Sequence, residues 1–177
     1  TKAQRNLFHI GLKAIRLAIE WKILDPELWN FIAVGENINE VELSENIFLN
    51  SAPWLSYSEY ISLIRKSDMY IALMNSPHTS FPVIEAMQLS VPSITTTFAN
   101  KSKIRLAAYS KYIYASEADS VAIAKNIGIA LAENTEENGG VTVLKDFQDM
   151  NVSLEMLNRW IKQHLVTEQP KLNFSKE

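Results

Sequence analysis

A strand, a polar loop, a helix and a second strand follow one another between residues 69 and 97 of this 177-residue chain. Met69–Met74 is an apolar run typical of a strand, and Asn75–Ser80 is short and polar. Pro82 stands near the start of an apolar helical segment, which Ser93–Thr97 follows as a second strand. This βαβ unit favours a parallel sheet. In open sheets of that kind, ligands bind beyond the carboxyl ends of the strands, where loop and helix amides can hold anions.

Hydrophobic periodicity divides the rest of the chain into alternating helices and strands. Ser56 and Glu59 have the spacing of a capping box at the start of one helix. The predicted helices are Gln4–Leu24, Ser56–Ser67, the segment from Pro82, Asp119–Glu133 and Ser153–Leu165, with a short helix or turn at Ser102–Ala108. Outside the central unit, whose first strand can begin at Asp68, the predicted strands are Trp29–Gly35, Asn46–Leu49 and Tyr112–Ala115. Asn37–Glu45 is predicted to be a polar loop.

This order predicts an α/β fold, a Rossmann-like parallel sheet with helices on both faces. Because a fold of this class usually opens on a strand, we expect a first strand, not present in the sequence, to precede the first helix. We expect one domain over residues 1–177, with its core at about 5–135, a C-terminal helix at 151–166 and a loose tail at 167–177. We also expect this domain to be a fragment of a larger two-domain protein.

The composition excludes several classes of function. A net charge of −3 gives no field that favours nucleic acid. Without cysteine, the chain has no disulfide, thiolate metal site or thiol nucleophile. Its apolar runs are shorter than the roughly 20 residues that span a membrane, and its spacing predicts no metal site. These features fit a cytoplasmic protein.

Hydroxyl and basic side chains gather around the predicted ligand edge. Ser76, Thr79 and Ser80 offer hydroxyls, and His78 is either a surface histidine or a donor to a phosphate or leaving group. At the start of the first helix, Arg5 with Asn6 is either an ordinary exposed pair or the mark of an anionic partner, because the helix dipole disfavours a cation there. Further along, Lys101 could reach the same edge, whereas we expect Trp54 to pack rather than to wall a base pocket.

Glu85 lies about one turn into the central helix, in an apolar context. One interpretation is a carboxylate that interacts with the helix dipole. The other is a carboxylate near the loop mouth that accepts hydrogen bonds from sugar or ribose hydroxyls.

The central stretch resembles the donor-binding signature of GT-B glycosyltransferases, in particular glycosyltransferase family 4. The resemblance is carried by Pro82, Glu85, Ala86, Met87, Val91 and Pro92. It implies that Glu85 holds the ribose of the donor. The family's first glutamate falls on Pro77, and its loop glycines are replaced by His78 and Ser80.

A narrower resemblance, over roughly Arg5 to Leu131, is to the C-terminal domain of WsaF-type rhamnosyltransferases, which use dTDP-rhamnose. It is carried, in order, by Arg5-Asn6-Leu7-Phe8, Gly11-Leu12, Val34-Gly35-Glu36, Trp54-Leu55-Ser56-Tyr57, Ser76-Pro77-His78 and Phe98-Ala99-Asn100-Lys101. It implies a donor site made of Arg5, Asn6, Gly35, Ser76, Pro77, His78, Thr79, Ser80, Glu85 and Lys101, with His78 as the candidate catalytic residue.

The leading hypothesis is therefore the donor-binding half of a glycosyltransferase, possible substrates being dTDP-, UDP- or GDP-linked sugars. Loop amides and the helix dipole can bind the diphosphate, so we expect no metal or other cofactor. The glycan acceptor would bind an N-terminal domain outside this sequence, and the full-length enzyme could associate peripherally with the inner face of the membrane. The alternative is a non-catalytic α/β interaction module that retains the fold without a working donor site.

Overall fold

The computed structural model of the chain describes residues 6–35 and 38–137. The helix expected at 151–166, the tail at 167–177 and Arg5 lie outside these residues. The described part contains five helices and six strands, which alternate after β3. In chain order they are α1 (Phe8–Glu20), β1 (Ile32–Val34), β2 (Val41–Ser44), β3 (Ile47–Ala52), α2 (Tyr57–Arg65), β4 (Tyr70–Ile71), α3 (Phe81–Gln88), β5 (Ser93–Thr96), α4 (Lys103–Ala107), β6 (Ile113–Ser116) and α5 (Ser120–Glu137).

The strands form two three-stranded sheets, in the orders β1-β3-β2 and β4-β5-β6. In the second sheet every pairing is parallel, with Ile94 of β5 opposite Ile71 on one side and Tyr114 on the other. In the first sheet, β1 and β3 are also parallel. The predicted α/β fold with a parallel sheet is therefore confirmed.

The region from Asn37 to Glu45 corrects the sequence analysis, because it contains strand β2 rather than only polar loop. Strand β2 pairs antiparallel with β3. A turn at Asn46, whose φ of 60° is left-handed, joins the two strands into a hairpin. Leu43 is only 5% exposed because it packs with Leu12 of α1 and Leu49 of β3. A single buried leucine among polar neighbours is a weak strand pattern, and the pairing to β3 supplies what the local sequence lacks.

Helices cover both faces of the sheet β4-β5-β6, as predicted. On one face, α1 and α5 pack over Leu73 and Ile94 through small and branched residues such as Ala14, Ala18 and Ile127. On the other face, α2 and α3 meet through Ile64 and Ala86, and Val83 of α3 packs with Leu106 of α4. Since both faces are covered, the strands between them are almost entirely apolar or hydroxylic.

The capping box predicted at the start of α2 is present. The Ser56 hydroxyl accepts a hydrogen bond from the Glu59 amide, and the Glu59 carboxylate accepts one from the Ser56 amide at 2.8 Å. These bonds satisfy two amides that a helix start would otherwise leave without a partner. The Ser56 hydroxyl also donates to the Glu59 carboxylate at 2.6 Å, and this bond, together with the one from the Ser56 amide, lowers the pKa of the Glu59 carboxyl because both favour its charged form.

Side chains of the next strand fix the end of β4. The Thr96 hydroxyl accepts a hydrogen bond from the Met74 amide at 3.0 Å and donates one to the Met74 carbonyl at 2.9 Å. One residue earlier, the Thr95 hydroxyl donates to the Ala72 carbonyl at 2.9 Å. Threonine side chains thus continue the contact between β4 and β5 beyond Ile71, up to the loop that follows.

Replacing Thr96 with valine should destabilise the domain by about 1–3 kcal/mol. Valine has the same shape as threonine but lacks the hydroxyl, so the amide and the carbonyl of Met74 would each lose a hydrogen bond. Urea denaturation measures the change in the free energy of unfolding. Thr96→Ser retains the hydroxyl and should lose clearly less stability than Thr96→Val. A loss in Thr96→Ser as large as that in Thr96→Val would show that the methyl group contributes as much as the hydroxyl and would contradict this interpretation.

Candidate functional site

The loop after β4 lies at the carboxyl edge of the parallel strands, where the sequence analysis placed the ligand. Ser76 and Thr79 are half-buried, while Pro77 and His78 are exposed. The His78 amide donates to the Ser76 hydroxyl at 3.3 Å, which tightens the loop. The side chains of Pro77 and His78 therefore face solvent, where an incoming ligand could meet them.

Ser80 is the N-cap of α3, but its hydroxyl makes no capping hydrogen bond. The residue is 7% exposed, and its hydroxyl oxygen is buried with no hydrogen-bond partner. Its carbonyl accepts from the amides of Val83 and Ile84, so α3 begins directly at this residue. An unpartnered hydroxyl at a helix N-terminus, where the dipole is positive, is a donor available to an anion.

A cavity of about 790 Å³ opens between β1 and β4 and brings three of the predicted site residues together. Asn6, Gly35 and Ser80 all line it, although they are far apart in sequence. Gly35 has a φ of 104°, a conformation that favours glycine, where β1 ends. The other described site residues, Ser76, Pro77, His78, Thr79, Glu85 and Lys101, do not line this cavity. Arg5 lies outside the described residues.

Lys101 points inward rather than towards solvent. It is 4% exposed, and its ammonium group donates to the Met74 carbonyl at 3.0 Å. Burial lowers the pKa of Lys101, because it disfavours the charged form. The residue therefore lies at the predicted edge, but it supports the backbone from which the Ser76–Ser80 loop begins. Its direct contact with a donor stays a prediction.

Glu85 is half-buried and faces tyrosines that the sequence analysis did not select. Burial first, and the Glu85 carboxylate next, raise the pKa of Tyr57. Burial also raises the pKa of Tyr60, whose hydroxyl lies 3.3 Å from that of Tyr70, and Glu85 adds to the rise. The sequence shows that Tyr57 and Tyr60, one helical turn apart, lie on the same face of α2. It does not show that this face approaches Glu85 of α3, because that contact depends on the tertiary fold.

The expectation that Trp54 packs is wrong, because the residue is 87% exposed. It lies at the border of the cavity. Phe81, at the first position of α3, is 75% exposed. The segment around Trp54 is a short extended connection between β3 and α2, so no layer of the described residues covers the indole. On the rim of the cavity, Trp54 therefore has an uncovered aromatic face that could contact a ligand.

Neither a metal site nor a membrane helix is found within residues 6–35 and 38–137. Over those ranges no three histidine, aspartate or glutamate side chains are placed to hold a metal ion. No helix there is long and apolar enough to cross a bilayer.

Alkaline pH should destabilise the domain through Tyr60 and Tyr70, which are partly buried and have raised pKa values. A raised pKa in the folded state gives a stability contribution that is present below the ordinary tyrosine pKa of about 10 and is lost as pH rises above it. As the pH rises from about 9 to about 11, the free energy of unfolding measured by urea denaturation should therefore fall less for Tyr60→Phe than for wild type. The control Tyr109→Phe, at an exposed position, should follow wild type. Identical pH dependence in wild type and Tyr60→Phe would contradict the assignment.

Comparison with known protein families identifies the family of this chain. No curated protein matches the chain. The family described as "WsaF, C-terminal domain" matches residues 1–128, which include every candidate site residue. Because this match covers most of the 177 residues, the chain belongs to the family of WsaF C-terminal domains, a family associated with glycosyltransferases.

Proposed function

We propose that this domain is the donor-binding part of a glycosyltransferase and binds the diphosphate of a nucleotide sugar at the Ser76–Ser80 loop and the N-terminus of α3. The observation that carries the proposal is the Ser80 hydroxyl, which is buried at a helix start without a partner. A buried polar group without a partner is costly, and a bound phosphate would supply the partner that this hydroxyl lacks. The family match supports the same class of protein.

The chemistry of sugar transfer fits donors of this kind. As the bond to the diphosphate breaks, negative charge grows on the leaving oxygens and the sugar gains oxocarbenium character. Donors aimed at that charge lower the barrier because they bind the transition state more strongly than the ground state. The Ser80 hydroxyl and the first amide of α3 supply such donors. In this proposal His78, which is exposed on the same loop, donates to the leaving phosphate or contacts the sugar.

The nucleoside would lie on the side of α2 and α3. Glu85 can accept hydrogen bonds from ribose hydroxyls, and Trp54 offers an uncovered aromatic face for a base. Helix and loop donors can hold the diphosphate without a metal ion, so we propose a metal-independent donor site. dTDP-rhamnose is the donor that the family resemblance favours, with UDP- and GDP-linked sugars as the other candidates.

We further propose that the glycan acceptor binds a second domain of the intact enzyme. In this proposal the enzyme works in the cytoplasm, where it could associate peripherally with the inner face of the membrane. The second candidate function is an interaction module that keeps the fold without a working donor site. Two observations favour it, namely the proline at position 77 and the inward orientation of Lys101.

Titration calorimetry with dTDP should show binding that depends on the Ser80 hydroxyl. Ser80→Ala should weaken dTDP binding about tenfold, the usual loss for one hydrogen bond to a charged group, and dTMP should bind wild type more weakly than dTDP. Because the lost hydroxyl has no partner in the free protein, Ser80→Ala should unfold at the same urea concentration as wild type or a higher one.

The matched control for this titration is Ser116→Ala. The Ser116 hydroxyl is also buried without a partner, but it lies at the end of β6, on the far strand of the sheet. Its removal should leave dTDP binding unchanged. Equal affinity in Ser80→Ala and wild type would reject the diphosphate site, and no binding of dTDP, UDP or GDP to wild type would favour the interaction module.

Removing the Glu85 carboxylate should weaken UDP more than dTDP, because ribose offers two hydroxyls to the carboxylate and deoxyribose offers one. Glu85→Gln should lower UDP affinity about three- to tenfold, as expected for a hydrogen bond to a charged group. Glu117→Gln makes the same charge change at an exposed position and should bind both nucleotides normally. Equal effects on UDP and dTDP would argue against ribose recognition by Glu85.

A further inference from the structure

Tyrosine side chains gather beside Glu85, and the proposed donor site does not use them. Tyr57 and Tyr60 of α2 have ring centroids 6.4 Å apart. The Tyr60 hydroxyl lies 3.3 Å from the hydroxyl of Tyr70 on β4. Tyr60 and Tyr70 both pack against the core cluster that contains Ala86, the neighbour of Glu85 on α3. Three structural elements thus bring their polar groups together at one carboxylate.

The Glu85 carboxylate accepts hydrogen bonds from both tyrosines of α2. Burial is the main cause that raises the pKa of Tyr57, and the charge of Glu85 and a hydrogen bond to it add to the rise. The pKa of Tyr60 is raised first by burial and by Tyr70, and then by the same two effects of Glu85. Because a carboxylate can only accept, the protons in these bonds come from the tyrosines.

The number of protons fixes the direction of the bonds. Tyr60 has two acceptors, the Tyr70 hydroxyl and the Glu85 carboxylate, but it has a single proton to donate. A hydrogen bond to a carboxylate is stronger than one between two neutral hydroxyls, so Tyr60 donates to Glu85. Tyr70 then donates to Tyr60, and the three side chains form a chain from β4 through α2 to α3. Bonds in such a chain strengthen one another, because each polarises the next.

The chain also connects Glu85 to the cavity. Tyr60 and Tyr70 line that cavity together with Ser80, whereas Glu85 does not line it. The tyrosine pair therefore lies between the wall that carries the Ser80 hydroxyl and the carboxylate of α3.

Two tyrosine donors leave part of the carboxylate free for a ligand. An ionised carboxylate has about four acceptor positions, of which Tyr57 and Tyr60 occupy about two. The remaining positions match two adjacent hydroxyls, which is the vicinal diol of a ribose. Since both tyrosine bonds come from the same helix, the carboxylate has its orientation before a ligand arrives, and this reduces the entropy that binding costs.

We propose that the Tyr70–Tyr60 pair positions Glu85 to bind the vicinal diol of a ribonucleoside diphosphate, with Tyr57 as the second donor to the carboxylate. This proposal rests on the proposed function, in which Glu85 contacts the ribose. The tyrosines act through Glu85, so they are positioning residues and not catalytic ones. If they served only to pack α2 against α3, their hydroxyls would affect stability without a selective effect on ribose.

A double-mutant cycle in titration calorimetry with UDP tests this role. Tyr60→Phe should weaken UDP binding about three- to tenfold, because the carboxylate loses the bond that orients it. In a Glu85→Ala background, the same substitution should change UDP affinity less than about twofold, since no carboxylate is left to position. Inorganic pyrophosphate, which has no ribose, should bind Tyr60→Phe as it binds wild type.

The matched control is Tyr114→Phe. The Tyr114 hydroxyl donates to Glu133 at 2.7 Å, and it belongs to β6, the outer strand of the sheet. Its removal breaks a bond of the same chemistry away from the site and should leave UDP binding unchanged. Because loss of the half-buried Tyr60 hydroxyl could disturb folding, the exposed Tyr57 supplies a second variant. Tyr57→Phe should also weaken UDP binding, with the same dependence on Glu85.

Three results would overturn the inference. Normal UDP binding in both tyrosine variants, while Ser80→Ala still weakens UDP, would remove the role of the tyrosines and leave the proposed function standing. Equal weakening by Tyr60→Phe with and without Glu85, or weaker binding of pyrophosphate as well, would mean that the tyrosine acts on the fold alone. No binding of UDP or pyrophosphate to wild type would reject the proposed function and this inference together.

Discussion

The hydrogen bonds to the backbone of Met74 are the contacts on which the candidate site depends. Thr96 binds both the amide and the carbonyl, and the buried Lys101 ammonium donates to the same carbonyl. Together they determine where β4 ends and in which direction the loop leaves the sheet. Because each bond is partly buried, a shift of the backbone at Met74 would leave a polar group without its partner. The backbone just before the Ser76–Ser80 loop is thus anchored to the sheet, while the tip of the loop is exposed.

A second constraint acts at the other end of the loop, where Ser80 begins α3. A serine at an N-cap normally stabilises its helix by about 1 kcal/mol through a hydrogen bond that is absent here. The chain therefore forgoes a common stabilising bond and retains a buried hydroxyl without a partner. Departures of this kind from local rules are expected at functional sites, where a ligand supplies the missing interaction. The same region carries uncovered aromatic side chains, Trp54 and Phe81, which the described fold does not use for packing.

Local signals in the sequence were sufficient to predict the βαβ unit, the capping box of Ser56 and Glu59, and the parallel pairing of the sheet. They failed at β2, where Leu43 is the one buried residue and pairing with β3 decides the structure. Local signals also could not show that the Lys101 side chain points inward, because a lysine in a loop is normally exposed. Its ammonium group finds a partner in the Met74 carbonyl, which only the tertiary structure reveals. The approach of Tyr57 and Tyr60 to Glu85 joins two helices, so it likewise depends on tertiary packing. The open edges of β1 and β4 became visible only when the strand order was known.

An anchored loop, a helix start with an unpartnered hydroxyl and an open sheet edge lie together, and we propose that a diphosphate binds there. A map of amide chemical-shift changes in a ¹⁵N-labelled sample titrated with dTDP tests this proposal. We expect the largest changes at Thr79, Ser80 and Phe81, with smaller ones at Asn6 and Gly35. Changes confined to the β2–β3 hairpin or to α5, with the start of α3 unaffected, would contradict it.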